Sequence, residues 1–122
     1  MGDIYHAVYE KMDRMGIFSV RQYAVIEKPP YTALCIDKLE DSVYALSQNP
    51  VIDGNVVADP DIEIRVFHEK RIAEPLCLQD RSGRREVYPG PGKVDLKTKN
   101  DLAQQLDRWL ADLISEGFIL HQ

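Results

Sequence analysis

The sequence predicts an α+β fold: an antiparallel sheet of four or five strands with an N-terminal and a C-terminal helix packed on one face. Three observations support it. Apolar residues recur at helical spacing near both ends, the segments between them alternate as strands do, and short turns rich in proline and glycine join those segments. Strands joined by short turns and flanked by helices indicate antiparallel pairing. The 122 residues suffice for a single domain, spanning 1–122, with its own core.

The first predicted element is a helix over residues 3–15. Asp3 is placed to cap its start, and Gly16 to end it. Its apolar stripe consists of Ile4, Val8, Met12 and Met15. This stripe is expected to pack on the sheet.

Two strands and a less regular segment follow. The strands are predicted over residues 19–27 and 31–39, with a turn at Lys28-Pro29-Pro30 because proline fixes φ and removes an N–H donor. Residues 41–60 are predicted to be a surface excursion, that is, a segment that leaves the sheet and runs over the surface. Within it, DSVYALSQ suits a helical turn, and Asp53-Gly54 between β-branched pairs suits a small hairpin.

Residues 61–80 predict a β-hairpin with charges in both strands. One side carries Ile62, Ile64 and Val66, and the other carries Glu63, Arg65 and Phe67. No primed two-residue turn is present, so a four-residue loop over 68–71 is expected. Pro75 lacks an N–H and suits a site without a ladder hydrogen bond. The register that satisfies this pairs Phe67 with Ile72, Ile64 with Pro75, and Arg65 with Glu74.

The C-terminal part predicts a short strand and the clearest helix. Residues 85–88 form the strand, and Pro89-Gly90-Pro91-Gly92 breaks it. The helix has one continuous apolar stripe, made of Leu102, Leu106, Trp109, Leu110 and Leu113. Thr98 with Asp101 resembles a capping box, and Gly117 suits the position after the helix.

Composition excludes several classes of protein. A net charge of −5 argues against general binding to nucleic acid or anionic membranes. The cations between residues 81 and 99 lack the interleaved aromatic residues typical of RNA recognition. No apolar run reaches membrane-spanning length, and the start MGDIYHAVYE lacks the features of a signal peptide. A cytoplasmic protein is therefore expected, with Cys35 and Cys77 as reduced core thiols.

Motifs for metal, nucleotide or nucleophile chemistry are missing from the sequence. His6, His68 and His121 show no metal-ligand spacing, so neither a metal nor a cofactor is predicted. Gly92-Lys93 does not complete a phosphate-binding loop, because Val94 stands where Ser or Thr must contact Mg²⁺. What remains is the pair of Arg65 and Glu74.

Two interpretations of this pair stay open. As a directly opposed cross-strand ion pair it adds a small local stabilisation, roughly 0.2–1 kcal/mol. As part of a semi-apolar surface with Phe67 and Ile72, on the sheet face opposite the helices, it suits a subunit or a partner protein.

Several motifs, in order, resemble a known family. They are PPYTALCIDKLED, PDIEIRVFHEKRIAEPL, YPGPGK and LDRWLADLISEGF, and together they resemble the YqiB-like family of small bacterial proteins, a domain of unknown function. The matching positions include Arg65, Phe67, His68, Glu74 and Tyr88. The chain departs from the family at Lys97-Thr98-Lys99, where the family tends to carry an acidic motif. The segment over residues 41–60 is also longer than the corresponding segment of the family. The resemblance implies no activity, cofactor or established site.

The functional expectation is an uncharacterised cytoplasmic protein acting as a non-enzymatic interaction or regulatory module. Its partner is a second copy, as a homodimer through the second sheet face, or another protein. Its candidate binding residues are Arg65, Phe67, His68, Glu74 and Tyr88. The alternative is a small enzyme or anion-binding protein with a site around Arg65, His68 and Glu74.

Overall fold

The computed structural model describes residues 3–120, which form two α-helices, a short 3-10 helix and eight β-strands. The helices are α1 (Ile4–Arg14) and α2 (Leu96–Ser115), and the 3-10 helix spans Ile17–Ser19. The strands are β1 (Tyr23–Ile26), β2 (Leu34–Glu40), β3 (Val43–Gln48), β4 (Val51–Ile52), β5 (Asn55–Val56), β6 (Asp61–Phe67), β7 (Ile72–Asp80) and β8 (Gly83–Glu86).

The α+β class and the antiparallel sheet are confirmed, but the strand count is not. Six strands form the main sheet in the order β1-β2-β3-β6-β7-β8, rather than the four or five expected. Every neighbouring pair in it is antiparallel. A separate two-stranded ribbon, β4-β5, turns at Asp53-Gly54, where both residues have positive φ, as a primed hairpin turn requires.

The additional strand is β3, and the expectation of a helical turn there was wrong. β3 lies in the middle of the sheet, between β2 and β6. Val43 and Ser47 are buried on one side, Tyr44 and Leu46 on the other. A strand buried on both sides loses the polar alternation that marks a half-exposed strand, so its sequence does not distinguish it from a helix.

The N-terminal helix forms as expected. The Asp3 side chain accepts the backbone N–H of His6 at 2.9 Å, and Gly16 follows the helix in the left-handed region, with φ of 82°. The strand predicted from residue 19 begins later, at Tyr23, because residues 17–19 form the 3-10 helix instead.

The central hairpin has the predicted register. Phe67 pairs with Ile72, Arg65 with Glu74, and Ile64 with Pro75. The loop over residues 68–71 closes with Arg71 N–H donating to the His68 carbonyl at 3.1 Å. Beyond Pro75 the register shifts by one residue, a β-bulge that the sequence did not indicate.

Helix α2 begins earlier than the predicted capping box and ends where expected. Asp95, not Thr98, is the N-cap, and its carboxylate accepts the Thr98 N–H at 3.0 Å. Gly117 follows the helix with φ of 94°, as expected. Trp109 is half-buried and donates its indole N–H to the Gln48 side chain at 3.0 Å.

One core unites both helices with one side of the sheet. The α1 residues Val8 and Met12 and the α2 residues Leu102, Leu106 and Leu110 cluster with strand residues that include Ile62, Ile64 and Val66. The helices contact each other as well as β7, and Lys11 of α1 bonds Asp107 of α2 at 2.8 Å. The strand residues on the opposite side of the sheet lie outside this cluster.

Candidate functional site

The candidate site lies on the side of the sheet that points away from the core cluster, here called the open face. Strand alternation and pairing assign its residues. They include Tyr23, Val25, Cys35, Asp37, Val43, Ala45, Ser47, Asp61, Glu63, Arg65, Phe67, Ile72, Glu74 and Cys77, and, toward β8, Gln79, Arg84 and Glu86. Most of them are half-buried or exposed, and Tyr23 and Val25 on β1 expose 58% and 42% of their surface.

Glu74 is the buried carboxylate of this surface. It is 9% exposed and lies on β7 beyond the point where β8 stops pairing. The Tyr88 hydroxyl donates to one of its oxygens at 2.9 Å, and the Lys99 ammonium bonds the other at 2.9 Å. Lys99 Nζ also lies 5.1 Å from the centre of the Tyr5 ring. Three elements and the loop before α2 therefore meet at one ion pair.

The contacts around Glu74 change the pKa values of Tyr88 and Lys99. Burial, and then the hydrogen bond to Glu74, raises the pKa of Tyr88, while the charges of Lys99 and Arg65 oppose the rise. Burial alone would lower the pKa of Lys99, but the bond to Glu74 and the charges of Glu74, Tyr88 and Tyr5 raise it overall. Tyr88 thus stays a donor and Lys99 a cation around neutral pH.

Arg65 stands opposite Glu74 but does not neutralise it. The predicted register is present, yet the carboxylate bonds Lys99 and Tyr88 instead. Among residues 3–120, Arg65 enters no ion pair within 4.0 Å. Its guanidinium is therefore available on the open face.

Phe67 and Ile72 lie on the open face next to the hairpin loop. They pair across the hairpin as predicted, and both are half-buried. Tyr23 and Val25, the strongly exposed apolar groups among the open-face residues named above, are on β1, at the opposite end of the sheet.

His68 is placed apart from Arg65 and Glu74. Its Nδ1 lies 2.9 Å from the Tyr9 hydroxyl, and its ring packs edge-on against Tyr9 and Phe18. Arg71 lies over the Tyr9 ring and bonds Glu10 at 2.7 Å. The hairpin loop is thus held against α1. Of the five predicted binding residues, the structure brings Glu74 and Tyr88 into contact with each other.

An acidic row crosses the centre of the open face, and sequence reasoning missed it. Asp37 pairs with Ala45, which pairs with Glu63, and Asp61 lies two residues from Glu63 on β6. Burial, and then the charge of Glu63, raises the pKa of Asp61, and Asp37 adds to the rise. Arg84 lies 3.9 Å from Glu63. The signal in the sequence was Asp37, a charge on the same strand face as Cys35, but only the pairing of β2 and β6 with β3 brings these carboxylates together.

Cys77 lies beside this row as a free thiol. It is 5% exposed, and neither it nor Cys35 forms a disulfide. Burial, and then the charge of Glu63, raises its pKa to about 11, against the pull of Arg84. A thiol protonated to that degree is a poor nucleophile at neutral pH.

Three pockets formed by residues 3–120 lie away from the predicted enzyme site. A groove of about 340 Å³ runs between α1 and α2, one of about 360 Å³ lies at β8 and Gln105, and one of about 190 Å³ lies beside Trp109. None of these three is lined by Arg65, His68 or Glu74. Within residues 3–120, no three His, Cys, Asp or Glu side chains converge to hold a metal ion. His121 lies outside that range.

Comparison with known proteins identifies a family. Residues 3–119, which include every helix and strand described above, match the model of a domain of unknown function, DUF6908. The chain belongs to this family. Membership of DUF6908 agrees with the expectation of a family without a known activity, but nothing in the match shows that the family is YqiB-like or bacterial. No curated protein and no solved structure matches the chain. Neither helix of residues 3–120 has the length and apolar composition needed to cross a bilayer.

Proposed function

We propose that this chain is a non-enzymatic interaction module that binds a protein partner through the open face. The observation that carries the proposal is the composition of that face. Exposed Tyr23 and Val25 supply apolar contact at one end, and a row of half-buried carboxylates crosses the centre. Apolar contact combined with complementary charge is the usual chemistry of a protein interface.

The charge of the face favours a cationic partner. Asp61 is disfavoured as an anion by burial and by the like charges of Glu63 and Asp37. A lysine or arginine brought there by a partner would offset both effects. Arg65, two residues after Glu63 on β6, would meet an acidic group or a carbonyl of the same partner.

The acidic row also argues against a second copy as the occupant of this face. An isologous contact centred on it would bring the carboxylates of both copies together, and like charges in an interface are costly. Phe67 and Ile72, the expected centre of such a dimer, are already half-buried.

The alternative, a small enzyme or anion-binding protein around Arg65, His68 and Glu74, has less support. His68 contacts α1, and Glu74 has its own cation in Lys99. The proposal places the module in the cytoplasm, where the free Cys35 and Cys77 would persist as thiols.

The test is affinity capture from the native cell extract, with quantitative mass spectrometry. Asp37→Lys/Glu63→Lys reverses two charges of the acidic row and should lose proteins that the wild-type chain retains. Asp101→Lys/Asp112→Lys makes the same charge change on exposed positions of α2 and should retain them. The two pairs are matched further, since Glu63 contacts Arg84 and Asp101 contacts Lys97. Equal capture by both variants would contradict the proposal.

A further inference from the structure

The two edges of the main sheet differ in chemistry. β8 is exposed throughout and carries Arg84, Arg85 and Glu86, the kind of charged edge that resists pairing with another strand. β1 carries Tyr23, Ala24, Val25 and Ile26, with no charge in the strand. One edge is protected by charge, and the other is not.

The hydrogen bonds between β1 and β2 use the backbone groups on one side of β1 and leave those on its outer side free to pair with another strand. Lys38 N–H donates to the Gln22 carbonyl, so Gln22, Ala24 and Ile26 direct their backbone groups toward β2. The N–H and C=O groups of Tyr23 and Val25 therefore point away from the sheet. Their side chains are the exposed apolar groups of the open face.

From these features we infer that two copies of this chain pair edge to edge through β1, antiparallel about a two-fold axis at Ala24. The result is one continuous sheet with six strands from each copy. This inference does not depend on the proposed function, because it uses the edge of the sheet and leaves the acidic row free. The occupant of the edge is a second copy because the edge is complementary to itself.

The register follows from hydrogen bonding and charge. Outward-facing residues must pair with outward-facing residues, and one register that satisfies this sets Tyr23 opposite Val25 of the second copy, and Val25 opposite Tyr23. The same register brings Arg21, two residues before β1, next to Glu27 of the other copy, one residue after β1, which gives an ion pair at each end. Arg21 and Glu27 are exposed, and neither has an ion-pair partner within residues 3–120. Registers shifted by two residues break these ion pairs.

The interface is short, so the dimer is expected to be weak and reversible. A contact of one strand per copy falls among the small interfaces typical of transient complexes. It should form as concentration rises, and its dissociation constant is the quantity to measure.

A charge-swap experiment tests the inference by sedimentation equilibrium. Arg21→Glu places two carboxylates opposite each other at both ends of the interface, and Glu27→Arg places two guanidinium groups there. Each substitution should therefore raise the dissociation constant on the order of tenfold or more. The double variant Arg21→Glu/Glu27→Arg restores both ion pairs with their charges exchanged and should restore the dimer. Misfolding cannot produce such a restoration, and thermal midpoints of all four proteins verify that each folds.

Disulfide trapping tests the register. In the inferred pairing Ala24 meets its own copy at a site without hydrogen bonds, where Cα atoms lie about 4.5 Å apart, within reach of a disulfide. Under mild oxidation Ala24→Cys should give a covalent dimer, whereas Val25→Cys, diagonal to its copy at about 7–8 Å, should not. The wild type controls for Cys35 and Cys77. A wild type that stays monomeric at its highest soluble concentration overturns the inference, as do charge reversals without effect, a double variant that is not restored, or trapping at Val25 in place of Ala24.

Discussion

At the residue scale, Glu74 joins parts of the chain that are far apart in sequence. Its backbone belongs to β7, and its carboxylate bonds Tyr88 after β8 and Lys99 in α2. A carboxylate removed from water requires such partners, because an unpaired buried charge costs several kcal/mol. Asp37 and Glu63 are half-exposed, so water solvates their carboxylates and they need no partner at such a short distance. Glu74 therefore joins β7 to α2 within the fold, whereas the acidic row belongs to the face that we propose as a binding surface.

Cys77 gives a prediction about pH. Burial and the charge of Glu63 raise its pKa to about 11 from an ordinary 9.0, so the folded chain holds the thiol proton more firmly than the unfolded chain. The stabilisation is therefore complete below pH 9.0 and decreases as the pH rises toward 11. At neutral pH we expect Cys77 to react slowly with a thiol reagent, and the half-buried Cys35 to react faster.

Single substitutions separate the two thiols. Cys35→Ser should leave only the slow phase, and Cys77→Ser only the faster one. In denaturant both phases should merge into one fast reaction. A native protein whose two thiols react as fast as in denaturant would place Cys77 at the surface.

At the scale of elements, α2 owes its start to a residue that follows a loop. The carboxylate of Asp95 accepts the N–H of Thr98, and that backbone hydrogen bond is the main reason why the pKa of Asp95 is lowered. The Asp95 N–H in turn donates to the Val87 carbonyl at 2.7 Å, which fixes the loop relative to β8 and α2. The cap thus sets where α2 begins.

Substitutions at the start of α2 test this cap. Asp95→Ala should lower the thermal midpoint more than Thr98→Ala, because only the former removes the acceptor of the Thr98 N–H. A lowered pKa means that the stabilisation is present above the unfolded value of 3.8 and is lost as the pH falls through the folded value. The difference in thermal midpoint between wild type and Asp95→Ala should therefore vanish in acid. Asp95→Asn, which keeps an acceptor, is the control, and a larger loss from Thr98→Ala would assign the cap to Thr98.

At the scale of the whole molecule, β3 and β6 form the centre of a six-stranded sheet, and its edge strands, β1 and β8, each have a neighbour on one side only. Both central strands pair on each side, and their core-facing apolar residues are fully buried. The ribbon β4-β5 pairs only with itself, and Val51 and Val56 expose 68% and 71% of their surface. Local stability should follow this order, because opening a central strand exposes the most apolar surface.

Hydrogen exchange measures this order directly. Backbone amides of β3 and β6 should be the slowest to exchange, at a rate close to that of global unfolding, and those of β4-β5 and β8 the fastest. Strand β1 should become more protected as concentration rises if its edge pairs with a second copy. Exchange of β3 as fast as that of β4-β5 would mean that residues 43–48 lie outside the sheet, as a surface excursion would.

What the sequence determined is local. Apolar periodicity located both helices, and the positions of Pro75 and the 68–71 loop determined which residues pair across the central hairpin. These signals act between residues close in sequence, where spacing and turn geometry limit the choices. The family resemblance, likewise, rested on short local motifs.

What only the tertiary structure decided depends on residues far apart. β3 became a central strand because β2 and β6 pair with both its edges, and its sequence alone is compatible with a helix. Glu74 bonds Lys99 rather than the adjacent Arg65 because α2 returns to β7 and buries it there. The acidic row exists because β2, β3 and β6 are neighbours. The physical reason is the same in each case: pairing and burial depend on which distant segment approaches, and this is decided by the packing of the whole chain.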